Sequence, residues 1–182
     1  MNGWLSGDKI SLRALEPEDL DWLFRWENDS ALWVYGHTVA PYSRYLLKEY
    51  LQNYSSDIYK DGQLRLMIVN NKDNDRLGLI DLFDFDFRNR RASVGILVDS
   101  EQQQKGYGTE ALELLTRYAF EWLQLHSLNA IVAAPNEASR KLFTRCGFET
   151  IAVLPEWFVL DGKYHDAMWL QRIDRKNKRD QL

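Results

Sequence analysis

The sequence predicts an α/β fold with a mixed sheet, and two observations support this prediction. Three strand-like runs follow one another with short polar turns between them, which favours an antiparallel meander. These runs are Leu64–Ile68, Leu77–Phe87 and Ala92–Val98. An amphipathic helical stretch, Thr109–Leu125, then precedes the short apolar run Ala130–Ala134. Parallel neighbouring strands need a crossover connection, and this helix supplies one. We therefore expect the strand Ala130–Ala134 to lie parallel to the strand Ala92–Val98.

The segment before the meander predicts one strand and two helices. Apolar residues alternate with polar ones over Ile10–Ala14, as in a half-buried strand. Pro17 suits the first turn of a helix, and Asn28-Asp29 would end it. Ser43 can cap a second helix.

The segment after the crossover predicts a helix and a closing hairpin. The helix runs from about Glu137 to Arg145 and ends at Gly147. Asp161-Gly162 is a strong hairpin signal between two further strands. The element order is therefore βααβββαβαββ. A chain of 182 residues fits one domain, which we expect over residues 1–171, followed by a charged C-terminal tail over residues 172–182.

Composition and charge narrow the classes of function. With 45% hydrophobic and 27% charged residues, the chain has an ordinary globular composition. A net charge of −4 argues against a general nucleic-acid surface and weakly favours cationic partners. No apolar stretch is long enough to span a membrane, and the N-terminus lacks a signal pattern, so we expect a cytoplasmic protein. The histidines lack metal-ligand spacing, so no metal is expected, and the single Cys146 is interpreted as a small buried hydrophobe.

The loop Gln103–Gly108, with the sequence Gln-Gln-Lys-Gly-Tyr-Gly, is the strongest functional signal. It lies between a strand-like run and a helix. Its glycines allow a close backbone approach, and the helix start offers free N–H groups and the positive end of the helix dipole. Lys105 adds a positive charge. These features suit a phosphate or pyrophosphate, although a plain glycine turn between strand and helix would look similar.

Two familiar phosphate loops fit this segment poorly. The spacing differs from a Walker A loop, which needs Gly-Lys-Ser/Thr after four intervening residues. Gly106, Gly108 and Ala111 do give a loose dinucleotide fingerprint. That fingerprint expects an acidic residue at the end of the next strand, but the next strand runs into Pro135-Asn136.

A third pattern fits better, because Gln103-x-x-Gly106-x-Gly108 resembles the acetyl-CoA motif of the GNAT superfamily of N-acyltransferases. Other segments resemble the spermidine and ribosomal-protein acetyltransferase branch of that superfamily, in the right order over Ile10–Leu170. These segments are Leu12-Arg13-x-Leu15-x-x-Glu18-Asp19, Asn136-Glu137-Ala138-Ser139, Leu142-Phe143, Cys146-Gly147-Phe148 and Leu160–Asp166.

The resemblance implies the GNAT fold, with acetyl-CoA as cosubstrate. Backbone groups of one strand would bind the pantetheine arm, the glycine loop would hold the pyrophosphate, and the next helix would border the thiol end. A bulge or splay next to Val98 would expose an N–H for the thioester oxygen. The implied cofactor-binding residues are Ile96, Leu97, Val98, Gln103, Gln104, Lys105, Gly106, Tyr107, Gly108, Thr109, Asn136, Ser139, Phe143 and Arg145.

The acceptor amine must lose a proton before it attacks the thioester, since a lysine-like amine has a pKa of about 10.4. Asp81 and Asp84 are the candidate catalytic acids, by their alignment with acids of the family, and Asp86 lies on the same strand. Alternation places Asp84 and Asp86 on one strand face and Asp81 on the other, unless a bulge intervenes. These acids would equally well be solvated or paired with neighbouring arginines.

The chain departs from the family pattern at two positions. Phe143 stands where many relatives carry a tyrosine that protonates the leaving thiolate, so that role is absent or moved. Tyr164 is a possible substitute. Ser93 stands where relatives often have glutamate, so one expected acid is missing.

The sequence therefore predicts an N-acetyltransferase whose acceptor is a small cationic, polyamine-like primary amine, with a possible homo-oligomer. Aromatic residues in the two N-terminal helical segments are expected to shape the acceptor wall; they are Trp22, Trp26, Trp33, Tyr35 and Tyr42. The alternatives are a protein N-terminal acetyltransferase of the ribosomal-protein type and a non-catalytic acyl-CoA-binding domain.

Overall fold

A seven-stranded sheet forms the centre of the computed structural model, which describes residues 3–35, 38–55 and 57–175. The strand order is β1-β2-β3-β4-β5-β7-β6. The strands are β1 Ile10–Ala14, β2 Gln63–Asn70, β3 Arg76–Asp86, β4 Arg91–Val98, β5 Ser127–Ala133, β6 Glu149–Leu160 and β7 Lys163–Ile173. Neighbouring strands are antiparallel except β4 and β5, which are parallel, so the predicted mixed sheet is confirmed.

The helices follow the predicted order, with two additional one-turn helices, α2 and α4. The helices are α1 Leu20–Glu27, α2 Ser30–Trp33, α3 Arg44–Asn53, α4 Ile58–Asp61, α5 Tyr107–Arg117 and α6 Glu137–Arg145. Ser43 caps α3 as predicted, because its hydroxyl accepts a hydrogen bond from the Leu46 N–H at 3.1 Å. None of the described helices is both long and apolar enough to cross a membrane.

The ends of three elements differ from the sequence predictions. Helix α5 begins two residues earlier than predicted, because Gly106 adopts a φ of +87° and turns the chain directly into the helix. Strand β5 begins at Ser127, since pairing with β7 overrides the low strand propensity of Ser127 and Asn129.

The expectation of a tail from residue 172 is wrong for its first residues. Strand β7 continues to Ile173, and the Asp174 N–H donates a hydrogen bond to the His126 carbonyl at 2.9 Å. Residues 176–182 of the expected tail lie outside the described residues.

Two helical layers cover the sheet. Alternate residues of β2, β3 and β4, including Leu66, Ile80 and Val94, pack with α5 in the larger core. The intervening residues, including Met67 and Leu79, face α1 and α3 in a smaller core. The side of the sheet that α1 and α3 cover is called the acceptor face below, because the candidate acid Asp81 lies on it.

Candidate active site

The strands β4 and β5 separate soon after they begin to pair. Their register contains only the pairs Arg91↔Ser127, Ala92↔Leu128 and Ser93↔Asn129. Beyond this point the other edge of β4 stays paired with β3 as far as Val98. The backbone groups of β4 that face β5 are therefore open from Val94 onward. A splay was predicted next to Val98, and the structure places its beginning five residues earlier, at Ser93.

A cavity of about 160 Å³ lies in this opening. Several of its lining residues are among those that the resemblance assigns to the cofactor, namely Ile96, Asn136, Ser139 and Phe143. Tyr35, in the loop after α2, is one of the aromatic residues expected in the acceptor wall. The other lining residues come from β4 and β5 and were not expected in the site: Val94, Gly95, Ala130, Ile131, Val132 and Ala133. These residues carry no motif of their own, because only the divergence of two strands makes them line a cavity.

Helix α6 borders one side of the cavity. Asn136 caps this helix, since its side-chain oxygen accepts the Ser139 N–H at 3.1 Å. Phe143 is buried and packs edge-on against Phe148, with ring centroids 5.0 Å apart. Burial raises the pKa of the nearby Cys146 thiol to about 11, which keeps it protonated at neutral pH. Phe143 lines the cavity, but its phenyl ring cannot donate a proton.

The glycine loop turns the chain from β4 into α5. Gln104 and Gly106 adopt positive φ values of 62° and 87°. The Gln103 side chain donates to the Val98 carbonyl at 3.2 Å and so ties the loop to β4. Lys105 Nζ donates to Gln102 Oε1 at 2.8 Å. The next three residues, Tyr107 to Thr109, open α5, and their N–H groups have no carbonyl one turn earlier in the helix.

The two glycines of the motif serve different purposes. A methyl group built on Gly108 would lie 3.3 Å from Val98 Cγ2 and 3.5 Å from Leu142 Cδ2. Gly108 therefore allows α5 to pack closely against β4 and α6, and its proximity to a pyrophosphate stays a prediction. A methyl group on Gly106 would meet only Lys9 Nζ, at 3.7 Å, but the backbone there is left-handed.

Lys9 is a cation that sequence analysis missed. It belongs to a short hairpin in which Ser6 bridges Ser11 ahead of β1. The Lys9 N–H donates to Glu110 Oε1 at 2.9 Å, which fixes this hairpin to the first turn of α5. The Lys9 ammonium forms no ion pair with any described residue and lies beside the glycine loop. Lys9 lies far from the glycine loop along the chain, so a local sequence motif cannot connect the two.

A larger groove, of about 880 Å³, runs over the outer surface of α5 beside this hairpin. Three of the predicted cofactor residues line this groove and not the cavity at the splay; they are Gly106, Thr109 and Arg145. Arg145 lies at the C-terminal end of α6, at the opposite end from Asn136. The structure therefore places Arg145 beside the larger groove and away from the cavity at the splay.

The remaining predicted strand residues separate by face. Leu97 packs against the smaller core on the acceptor face. Ile96 and Val98 pack against the larger core under α5. The side chains of these three residues therefore pack on opposite faces of the sheet, and the contacts of their backbone groups with the cofactor stay a prediction.

Asp81 lies on the acceptor face at the edge of the splay. Its register partners are Arg65 on β2 and Gly95 on β4. Asp81 Oδ1 accepts hydrogen bonds from Arg65 Nε at 2.7 Å and from Gln63 Nε2 at 3.1 Å. Asp81 Oδ2 lies near Gly95, since a methyl group built on Gly95 would lie 3.8 Å from it and 3.9 Å from Asp81 Cβ. Burial raises the pKa of Asp81, and the Arg65 and Gln63 contacts oppose that shift in part.

The other two acids of β3 are not brought to this position. A bulge between Phe83 and Asp86 leaves Asp84 with a φ of +50° and an exposed side chain. Because the bulge adds one residue, Asp86 lies on the same face as Asp81, and simple alternation assigned it wrongly. Asp86 is engaged in the turn, where hydrogen bonds from Asn89 lower its pKa and Arg91 pairs with it at 3.0 Å.

Of the aromatic residues expected to form the acceptor wall, Tyr35 alone lines the cavity at the splay. Trp26 is buried, and its indole N–H donates to Asp99 Oδ2 at 2.8 Å, so it serves the core. Trp22 stacks at a tilt on Trp26. The Trp33 indole donates to the Glu27 carbonyl at 2.7 Å. Within residues 3–35, 38–55 and 57–175, no three acidic, histidine or cysteine side chains group as metal ligands would.

The comparison with known families decides the class of protein. Residues 9–149 match the sequence model of the family described as "Acetyltransferase (GNAT) domain". The chain belongs to the GNAT acetyltransferase family. It is an acetyl-CoA-dependent N-acetyltransferase with the fold of that family, as the sequence predicted.

Similar proteins in this family include polyamine acetyltransferases. Spermidine N(1)-acetyltransferase of Escherichia coli is 29% identical over 163 residues, which cover 90% of this chain and 85% of that protein. The crystal structure of spermidine N-acetyltransferase from Vibrio cholerae in complex with CoA and spermine superimposes with a TM-score of 0.82 at 26% identity, over 92% of this chain and 96% of that one. A dodecameric structure of the Vibrio cholerae enzyme gives a TM-score of 0.79 at 26% identity, over 96% of this chain and 100% of that one.

Proposed function

We propose that this GNAT enzyme acetylates a primary amine of a small cationic, polyamine-like molecule by direct attack on acetyl-CoA. The observation that carries the proposal is the position of Asp81, whose free oxygen faces Gly95 at the opening between β4 and β5. A carboxylate at this position attracts an ammonium group and can accept its proton. The similarity to spermidine acetyltransferases supports an acceptor of this kind.

The acetyl-CoA thioester would lie along the open edge of β4. An N–H group of that edge would stabilise the oxyanion, and one such donor is typically worth about 3 kcal/mol in the transition state. The pyrophosphate would be bound by the N–H groups between Gln104 and Thr109 at the start of α5. Lys9 and Lys105 would supply positive charge on two sides of this loop. Asn136, Ser139 and Phe143 would border the thiol end.

The reaction balances without a further reactant. The acceptor enters as an ammonium ion beside Asp81 and transfers one proton to that carboxylate, directly or through water. The free amine attacks the thioester carbonyl, and the nitrogen of the tetrahedral intermediate loses its second proton to water as the intermediate collapses to the amide and CoA leaves as a thiolate. A thiol with a pKa of about 8.5 leaves tolerably as a thiolate, so the absence of a donor at Phe143 does not prevent turnover.

The test is a steady-state assay of Asp81→Asn over polyamines, aminoglycosides and N-terminal peptides. We expect kcat/KM for the amine to fall by about 100-fold or more, since a general base typically contributes that much. The CoA affinity should stay within about twofold, because the glycine loop is untouched. Asp84→Asn, on the same strand but exposed, is the matched control and should change little.

Two outcomes would contradict this proposal. Acetylation of peptides alone, with no small amine turned over, would indicate a protein N-terminal acetyltransferase. Unchanged kinetics in a folded Asp81→Asn variant would remove Asp81 from the reaction.

We also propose that the enzyme acts as a homo-oligomer. Strand β6 is an edge strand, and several large apolar side chains on β6 and β7 are at least half exposed. They are Ile151, Val153, Trp157, Val159 and Tyr164. Long apolar edges of this kind are surfaces for association.

A further inference from the structure

The proposed function leaves Arg65 unexplained, although this arginine lies between two carboxylates under α1 and α3. Arg65 Nε donates to Asp81 Oδ1 at 2.7 Å, and Arg65 Nη1 donates to Glu27 Oε1 at 2.8 Å. The three side chains are only 22%, 13% and 19% exposed, for Arg65, Asp81 and Glu27 respectively. Charges this far removed from water interact more strongly than a surface pair.

The sheet register aligns this cluster with the splay. Arg65, Asp81 and Gly95 are direct partners across β2, β3 and β4 and share the acceptor face. Glu27 reaches the far side of Arg65 from the last residue of α1. Side-chain contacts therefore continue from Glu27 on α1 through Arg65 to Asp81, beside which the acceptor would bind.

The other polar groups around Asp81 come from β2 and α3. Gln63 donates to Asp81 Oδ1. The Tyr54 hydroxyl accepts the Arg65 backbone N–H and so fixes the strand under the cluster. The Tyr50 ring lies 5.8 Å from the Arg65 guanidinium, and its buried hydroxyl has no partner among the described residues. With Arg65 and Glu27, these are the titratable and hydrogen-bonding groups that face Asp81.

The cluster of Glu27, Arg65 and Asp81 carries more negative than positive charge. Two carboxylates and one guanidinium leave one net negative charge. Arg65 and Gln63 both bind Oδ1 of Asp81, and the remaining oxygen, Oδ2, lies near Gly95, which lines the cavity at the splay. The cluster thus presents a single oriented carboxylate oxygen to the splay.

We propose that Arg65 is a positioning residue, shared between Glu27 and Asp81, which orients the Asp81 carboxylate toward the acceptor amine and sets the charge it carries. This inference rests on the proposed function, because Asp81 must act on the amine for its orientation to matter. Glu27 binds part of the Arg65 guanidinium, so Arg65 stabilises the charged form of Asp81 less strongly. Asp81 therefore stays basic enough to accept a proton.

Arg65 and Glu27 therefore act on the Asp81 pKa in opposite directions. Burial raises the pKa of Asp81, and Arg65 lowers it. In Arg65→Met the Asp81 pKa rises, so the carboxylate becomes protonated at higher pH and the acidic limb of kcat/KM moves to higher pH. In Glu27→Gln the whole guanidinium is available to Asp81, so the same limb moves to lower pH.

The experiment is a pH profile of kcat/KM for spermidine with Arg65→Met, Arg65→Lys and Glu27→Gln. We expect Arg65→Met to lower kcat/KM by about 10- to 100-fold at neutral pH, because a mispositioned catalytic group typically costs that much. Compared with Arg65→Met, Arg65→Lys should show a smaller loss of kcat/KM and a smaller shift of the acidic limb. Lysine restores the positive charge but not the planar guanidinium group. The CoA affinity should be unchanged in all three variants.

Arg76→Met is the matched control. Arg76 Nε pairs with the buried Asp19 at 3.0 Å, and Arg76 lies at the start of β3, five residues before Asp81. This variant should lower stability in a similar way while leaving the pH profile in place. A structural role for Arg65 would make Arg65→Met resemble Arg76→Met, with a lower Tm and an unmoved acidic limb.

The inference is overturned if Glu27→Gln and Arg65→Lys both leave the acidic limb unmoved, or move it in the same direction. These two variants decide the matter even if Arg65→Met does not fold. Failure of the proposed function looks different, because Asp81→Asn would then keep its activity or no small amine would be acetylated. An Asp81→Asn variant that is inactive beside unshifted Arg65 and Glu27 variants contradicts the role of Arg65 alone.

Discussion

Lys9 is the residue whose position adds most to the cofactor site beyond the loop itself. Its ammonium lies beside Gly106 and is unpaired among the described residues, while its backbone is anchored to Glu110. A cation at this position can approach a phosphate bound at the start of α5. Because the side chain is exposed, its contribution is that of a screened surface charge, about 1 kcal/mol.

We therefore expect Lys9→Met to weaken CoA binding by about fivefold, and by less at high salt, where surface charges are screened. Affinity for acetyl-pantetheine, which lacks the phosphates, should be unaffected. Titration calorimetry at low and high salt measures both. Lys72→Met, another exposed lysine, is the control. Equal losses for CoA and acetyl-pantetheine would show that Lys9 supports the hairpin and not the phosphates.

For single residues, the sequence indicated which positions matter better than it indicated what each residue does. Asp81 was indicated as a candidate by its alignment, but alternation alone does not reveal the bulge that moves Asp86 to the same face as Asp81. Gly108 was recognised as part of a motif, yet its neighbours Val98 and Leu142 explain it by packing. Contacts of this kind depend on which elements meet in space, and one sequence states that only indirectly.

The junction between β4 and α5 is the element on which the proposed cofactor site depends. Gly106 has a φ of +87°, where a residue with a side chain is strained by about 1–2 kcal/mol. Gly108 has an ordinary backbone but is closely packed. Substitutions at these two positions should therefore have different effects.

We expect Gly106→Ala to lower CoA affinity by about tenfold, because the loop must rotate its N–H groups away from the phosphate to relieve the strain. Gly108→Ala should mainly lower Tm, since its methyl group presses on Val98 and Leu142. Calorimetry for CoA and thermal unfolding of both variants separate the two effects. If Gly106→Ala binds CoA normally, the loop is not the pyrophosphate site.

The order of elements could be predicted because its signals are local. Turn residues, caps and apolar alternation mark strands and helices within a few positions, and Ser43 and Asp161-Gly162 did so correctly. The depth of the splay could not be predicted in this way. It depends on how β4 and β5 diverge after Ser93, and no local turn or cap residue marks that position.

On the scale of the whole molecule, the two halves of the sheet differ in how they are covered. Helices α1 and α3 cover β2 and β3 on the acceptor face, where the Arg65 cluster lies. On the other side of the splay, Ile131 and Trp169 are a cross-strand pair with 43% and 37% of their surface exposed. The apolar side chains of β6 lie next to this open region, at the edge of the sheet.

This asymmetry predicts that β6 and its neighbour β7 form the contact between copies of the chain. We expect the wild-type protein to sediment as a multiple of its 21.5 kDa chain, and Val153→Lys combined with Trp157→Lys to sediment as the monomer. Both side chains are more than half exposed, so the substitutions leave the core intact. Val39→Lys introduces the same charge at a side chain that is 94% exposed on the loop before α3, and this control should not change the assembly. A wild-type monomer at micromolar concentration would contradict the proposed oligomer, and a doubly substituted protein that still associates would place the contact on another surface.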